Sequence, residues 1–257
     1  MSIPKKNAPS VSTLFQHARE DGTLSAESQN VLTVVDLGAQ IQEALGIRVD
    51  DVPASEVVLV TLMPDDSSSI QSSGNAAAIR DGHNLVLDAL LTSKQKDHLL
   101  VHTRYLNGSV LYPYCPLEHA VRMDASNYRP DKGTPLYDQA VVLLGTVFAK
   151  TQEFLDNGVQ VRTVTLILTD GCDVHSSRAD ARKVASLVGD LNRAEGHIVA
   201  AMGVDDGQTD FRKVFREMGI EDPWILTPRN NASEIRKAFS VFSQSALQVI
   251  RGVPGVC

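Results

Sequence analysis

The segment 57–70 reads VVLVTLMPDDSSSI, an apolar run that ends in two aspartates and three serines. Asp65, Ser67 and Ser69 are spaced by two. In a loop leaving a strand, that spacing can turn three side-chain oxygens toward one point. Carboxylate and hydroxyl oxygens are hard ligands, suited to Mg²⁺ or Mn²⁺ rather than to a soft metal. Two further oxygens stand at comparable places. Asp170 follows the run TLIL in LILTDG, where Gly171 lets the chain turn, and Thr134 opens the segment GTPLYD. Each also has a plain structural reading. Asp and Ser make polar turns and helix N-caps, Thr134 before Pro135 suits an N-cap, and Asp170 before Gly171 suits a turn.

What must position these residues is an alternation of strands and helices. Residues 11–45 are helical in pattern, broken at DGT. Ser25 is a plausible N-cap for the second stretch, whose residues Val31, Leu32, Val34, Val35, Ala39, Ile41 and Leu45 form a broad apolar stripe. Such a stripe needs a surface, either the main domain or a partner. After the linker RVDDVPAS, SEVVLVTLM reads as a strand buried on both faces. A helix follows over NAAAIRDGHNLVLDALLTSKQ, with Gly82 as its weak point. Asn107-Gly108 then joins two strands as a hairpin. A long helix follows Pro135, and VQVRTVTLILT is another valine-rich strand. A helix, the strand HIVAAMGV, a short helix, the short strand WILT and a closing helix complete the chain.

This order implies right-handed crossovers and a doubly wound, mostly parallel α/β sheet with helices on both faces. In such sheets working groups lie at the carboxyl ends of strands. That rule selects three places: DDSSS, TDGCDVHS and DDGQTD. The expected organisation is a flexible tail at 1–10, a helical extension at 11–54, the sheet domain at 55–250 and a tail at 251–257.

In their order and spacing, DDSSS, GTPLYD and LILTDG resemble the von Willebrand factor A (vWA) domain and its metal-ion-dependent adhesion site (MIDAS). That motif is Asp-x-Ser-x-Ser with a distant Thr and a distant Asp. The matching residues are Asp65, Ser67, Ser69, Thr134 and Asp170. IVAAMGVDD and WILTPRNNASEIRKAF look like the family's last strands and closing helix, so the resemblance covers about residues 55–250. It implies a Rossmann-like sheet of about six strands carrying one Mg²⁺ or Mn²⁺ ion. One coordination position is open, and in relatives a partner protein's carboxylate fills it. Where Asp65 binds directly and Asp170 through water, the ion keeps positive character and attracts that anion. Where both bind directly, the incoming anion gains less. In some relatives such a change is coupled to movement of the closing helix.

The chain departs from the family at two positions. Ser68 stands where glycine is common, and Asp66 is an additional carboxylate. Asp66 is expected to face solvent or cap the following helix, and Asp173 to do likewise. Both should strengthen the local negative field.

The remaining composition narrows the function. With 257 residues, 43% hydrophobic and 21% charged, the chain is ordinary globular protein. Its net charge of −7 argues against a general nucleic-acid or anionic-membrane binder. Cys115, Cys172 and Cys257 lack metal-ligand spacing and suit a reducing compartment. The start has no apolar signal region, so the expected location is cytoplasmic. Cys172 and His175 lie near the proposed ion but lack a third catalytic partner. His98 and His102, four apart on a strand, suit packing better than a metal. DDGQTD suits a turn better than a second cation loop, and Trp224 suits packing on the sheet. The function expected is a metal-dependent protein-interaction module, an adaptor and not an enzyme. Its partner supplies an acidic residue, and by family analogy it works beside an ATP-driven remodelling or assembly machine. No P-loop occurs in the chain itself. The alternative is a Mg²⁺- or Mn²⁺-dependent hydrolase or phosphate-handling enzyme using the same ion.

Overall fold

The computed structural model describes residues 9–33, 37–194 and 196–252. Most of the expected tails at 1–10 and 251–257 therefore lies outside the described residues, as do Val34, Val35 and Cys257. Six strands form one sheet: β1 (Glu56–Met63), β2 (Leu99–Arg104), β3 (Val110–Pro116), β4 (Gln160–Thr169), β5 (His197–Gly203) and β6 (Ile225–Leu226). Their order is β3-β2-β1-β4-β5-β6, parallel throughout except for β2 with β3. The antiparallel pair is the hairpin at Asn107-Gly108, where Gly108 takes a φ of 98°.

Helices cover both faces. On one, α5 (Ala76–Leu91) and α9 (Ala232–Ile250) bury Ile79, Val86, Phe239 and Phe242 against Val58, Val60, Leu62, Val164 and Leu166. Gly82 is a close-packing position rather than a weak point. A Cβ there would lie 2.0 Å from the ring of Phe239, so only glycine lets the two helices approach this closely.

On the other face α6 (Leu136–Leu155) is buried nearly all round, including the polar Lys150, Thr151, Gln152 and Glu153 of its last turns. Its inner side meets the sheet. Its outer side is covered by α1 (Val11–Glu20), α2 (Ala26–Leu32) and α3 (Leu37–Ala44), which share one core with it through Leu14, Phe15, Leu32 and Ile41. The apolar stripe of the N-terminal segment thus finds its surface on the same chain. It is carried by two helices. Ser25 caps the first, accepting the Ser28 amide at 3.1 Å.

α7 (Ala181–Arg193) and α8 (Phe211–Glu217) complete this layer. The segment SRADARKVASLVGDLNRAEG reads as a helix from Ser177, whereas α7 starts at Ala181. Instead the amides of Ser177, Arg178 and Ala179 donate to the Asp138 carboxylate, at 3.0, 3.0 and 2.7 Å. A local donor cluster satisfied by a side chain competes with helix formation, and Asp180 becomes the N-cap. Trp224 is partly buried between the two cores. His98 is exposed and His102 buried, so they do not form a pair.

Candidate metal centre

β1 and β4 are neighbours in register, with Met63 opposite Ile167. Two residues further on, that register sets Asp65 beside Thr169. The Thr169 hydroxyl donates to Asp65 Oδ2 at 2.7 Å, and the Asp170 amide approaches the same oxygen at 3.4 Å. The Ser67 amide donates to Asp65 Oδ1 at 2.7 Å, an Asx turn that folds the loop over the carboxylate. Ser67 then enters the short helix α4 (Ser68–Ser72). Within its first turn Ser69 Oγ donates to Asp170 Oδ1 at 2.5 Å and lies 2.8 Å from Ser67 Oγ. Asp65, Ser67, Ser69 and Asp170 are therefore joined in one hydrogen-bonded group across two strand ends. Asp65, Ser67 and Asp170 are buried, while Ser68 and Ser69 are exposed, so the group opens to solvent there.

Thr134 is brought close by a strap. The Ser68 amide donates to the Lys132 carbonyl at 2.9 Å, and the Lys132 amide to the Asp66 carbonyl at 3.2 Å. Thr134 follows two residues later and is buried. Its amide donates to His175 Nδ1 at 2.9 Å, and its carbonyl accepts the amides of Val174 and His175. Gly133 is required here, since a Cβ would lie 2.7 Å from His175 Nδ1. The Thr134 hydroxyl does not cap α6. The amides of Tyr137 and Asp138 go instead to Asp173 Oδ1 and Ser176 Oγ. Among the described residues, that hydroxyl makes no hydrogen bond to the other four site residues.

Two expectations need correcting. Asp66 neither faces solvent nor caps a helix. It is 3% exposed, and it accepts the Asn107 amide at 3.0 Å and the Asn107 side-chain amide on its other oxygen. The hairpin turn presents donors that the buried carboxylate takes in place of water. Asp173 does cap a helix, but it is α6, which precedes it in the chain; Asp180 caps the following one. Sequence reasoning also missed Tyr128, whose hydroxyl donates to the Asp65 carbonyl, and Thr169. Thr169 had a signal, as the last residue of the strand before Asp170. Tyr128 sits in an irregular loop and had none.

The electrostatics of this corner are one-sided. Burial pushes the Asp65 carboxyl up, against the donors from Ser67 and Thr169. Burial also raises Asp170 to about 6 and Asp66 to about 7, with the Asp65 charge adding to both. Tyr128 is held well above its ordinary value by burial and then by the three carboxylates. Among the described residues no Lys, Arg or His forms an ion pair with Asp65, Asp66 or Asp170. Carboxylates buried without a cation are costly, and a hard divalent ion is the compensation such oxygens fit. No three His, Cys, Asp or Glu side chains among the described residues converge as a metal cluster. An ion here would be held partly by hydroxyls, from Ser67, Ser69 and Thr134.

No family model matches the chain, and no curated protein matches it significantly. Solved structures do. The pilus adhesin SpaC from Lactobacillus rhamnosus GG matches 76% of this chain at a TM-score of 0.53 and 14% identity. Proximal thread matrix protein 1 from the mussel byssus matches 74% at a TM-score of 0.50 and 16% identity. The fold is that of a von Willebrand factor A domain. A second structure of the mussel protein, with a zinc-occupied MIDAS motif, matches at a TM-score of 0.50 and 15% identity. The chain spans 31% of the adhesin chain and 48% of the mussel chain. At these identities the likeness establishes the fold, and the site rests on its own residues.

Proposed function

We propose that the protein is a metal-dependent protein-interaction module. The observation that carries this is the pair Asp65 and Asp170, buried at adjacent strand ends, raised above the ordinary carboxylate range and lacking a basic partner. Asp65, Ser67, Ser69, Thr134 and Asp170 would hold one Mg²⁺ or Mn²⁺. The ion supplies a positive centre at the solvent-facing side, where a partner's carboxylate would complete its coordination. The chain's residues orient that centre. Thr169 and the Ser67 amide fix the Asp65 carboxylate, and the strap through Lys132 fixes Thr134.

Residues 55–250 are the proposed binding unit, with 11–54 as a helical buttress. The proposed setting is cytoplasmic, as an adaptor that could serve an ATP-driven machine. No helix among the described residues is long and apolar enough to cross a membrane. A binding role is favoured over hydrolysis because the neighbouring groups are engaged elsewhere. His175 Nδ1 accepts the Thr134 amide, and the exposed Cys172 Sγ lies 3.4 Å from the Thr209 hydroxyl. Neither is poised against the other as nucleophile and base.

The test is capture of partners from native lysate by wild type and Asp65→Ala, in Mg²⁺ and in EDTA, beside calorimetry with Mg²⁺ and Mn²⁺. Capture that survives both EDTA and Asp65→Ala would remove the ion from the function. Turnover of a phosphate or ester substrate that needs Asp65 would replace binding with catalysis.

A further inference from the structure

Beside the proposed ion site lies an open groove of about 550 Å³, between the start of α5 and the loop 125–131. Gln71, Ala76, Ala77, Arg80, Tyr128 and Arg129 line it. The groove borders the site through two of its lining residues. Gln71 follows Ser69 by two residues in α4, and Tyr128 donates its hydroxyl to the Asp65 carbonyl.

Three features make the groove positive in a chain of net charge −7. Arg80 and Arg129 form no ion pair among the described residues, whereas Arg122, Arg162, Arg193, Arg216 and Arg236 each hold a carboxylate. The first turn of α5 ends on this surface, and no side chain caps it, because the Asn75 amide is turned to Ser73 and Asn230. That leaves a partial positive charge at Ala76 and Ala77. Asp131 also lines the groove, but its carboxylate is paired with Lys132 at 3.1 Å. Asp124, on the same loop, is bound by the amides of Ser126 and Asn127 and by the Ser126 hydroxyl, and its charge acts on Arg80 through space without forming an ion pair. The small side chains of Ala76 and Ala77 leave room for a peptide backbone.

We propose that this groove takes a second acidic side chain from the same partner segment whose first carboxylate reaches the ion. The ligand is an extended acidic peptide with two separated carboxylates, one for the metal and one for Arg80 and Arg129. This rests on the ion-site reading above, and it supplies what a lone metal–carboxylate contact lacks. One carboxylate on a metal distinguishes few partners, whereas two anchors at a fixed separation select for spacing.

The test is a screen of the full-length protein in Mg²⁺ against short random peptides on beads, followed by anisotropy with the best labelled peptide. Wild type should enrich peptides carrying two acidic residues at a preferred spacing. Arg80→Ala combined with Arg129→Ala should still enrich the first acid, lose preference for the second and weaken binding about 10-fold, or about 1.4 kcal/mol. Asp65→Ala, or EDTA with wild type, should abolish enrichment. The arginine variant should melt like wild type in EDTA, since Arg129 is exposed and Arg80 half-exposed. Unchanged spacing preference in the arginine variant overturns the groove and leaves the ion reading standing. Enrichment that persists in EDTA and in Asp65→Ala overturns the ion reading, and this inference with it. Enrichment of peptides without acidic residues overturns both. An oligonucleotide that displaces the peptide and binds more tightly through Arg80 and Arg129 overturns the peptide assignment.

Discussion

Two strand ends in this protein carry a pair of aspartates, and the pairs behave in opposite ways. After β5, Asp205 and Asp206 are satisfied by their own loop. Asp205 accepts the Gly207 amide at 2.9 Å. Asp206 accepts the amides of Gln208 and Thr209 and the Thr209 hydroxyl, at 2.9, 2.7 and 2.6 Å. Slight burial pushes the Asp206 carboxyl up, but the Thr209 and Gln208 donors prevail and hold it below its ordinary value. After β1, Asp65 and Asp66 are buried, and their donors include Thr169 and Asn107, which are distant in sequence. Their carboxyls are pushed up. The number of acids in a loop thus says little about metal binding. Exposed carboxylates closed by local amides need nothing more, whereas carboxylates gathered inside the sheet's edge retain a demand for positive charge.

The sharpest break between the two loops should appear in metal affinity. Asp65→Ala removes a central oxygen and should weaken Mg²⁺ or Mn²⁺ by more than about 100-fold, beyond the loss typical of a supporting residue. Asp206→Ala should change the affinity far less, since Asp206 accepts only from its own loop and its charge reaches Asp170 only through space. Calorimetry on both variants measures the contrast, and equal losses would erase it. Thr134→Ala should fall between them at about 10-fold, because its hydroxyl is one neutral ligand among several.

A second contrast lies inside the first loop. Asp65 and Asp66 are adjacent, yet one faces the proposed ion and the other the hairpin. Asp66→Ala would leave the amide and side-chain nitrogen of Asn107 without their acceptor. The expected cost is about 1–3 kcal/mol of stability, read by urea unfolding in EDTA. Metal affinity should change less than in Asp65→Ala. A variant with full stability but no metal binding would reverse the two roles.

The sequence made one member of each contrast visible and hid the other. Asp65, Ser67, Ser69 and Asp170 could be located because each follows an apolar run, and strand ends in a doubly wound sheet converge. The core of the fold was legible for the same reason, since buried parallel strands are continuous in valine, leucine and isoleucine. The expectation for Asp66 fails because its partner, Asn107, lies in the β2–β3 hairpin turn and leaves no periodic trace. Tyr128 and the strap at Lys132 were missed for the same reason. Gly82 looked like a flaw in a helix because Phe239, which needs the space, lies far along the chain. Local rules read what a residue offers, while the partner that accepts the offer is set by topology.

The two loops should also respond differently to pH. Asp170 and Asp66 have folded-state values of about 6 and about 7, above their ordinary carboxylate value. The metal-free folded state therefore binds more protons than the unfolded chain in this range, and these groups lose stability as pH rises through it. Buried His83, lowered to about 4, works the other way, because the unfolded chain takes up its proton first as pH falls. A profile in EDTA alone mixes the two. The difference in melting temperature between saturating Mg²⁺ and EDTA isolates the site. It should grow by a few degrees between about pH 5 and 7.5, as protons cease to compete with the ion. Asp206→Ala should reproduce that growth, and Asp65→Ala should show none. A flat difference in wild type would place the ion away from these carboxylates.

The smallest effect expected is the stability change in the β5 loop itself. Removing the Asp206 carboxylate frees two amides and a hydroxyl, but all belong to an exposed turn where water replaces the lost acceptor. An exposed donor recovers most of its hydrogen-bond energy from solvent, more fully than the half-buried donors of Asn107. Asp206→Ala should therefore cost less than about 1 kcal/mol, against the larger loss in Asp66→Ala. The ratio of the two, measured by urea unfolding under the same conditions, tests whether local satisfaction or burial sets the worth of an aspartate. If Asp206→Ala proves the costlier change, the β5 loop holds the sheet edge in a way its exposure does not suggest.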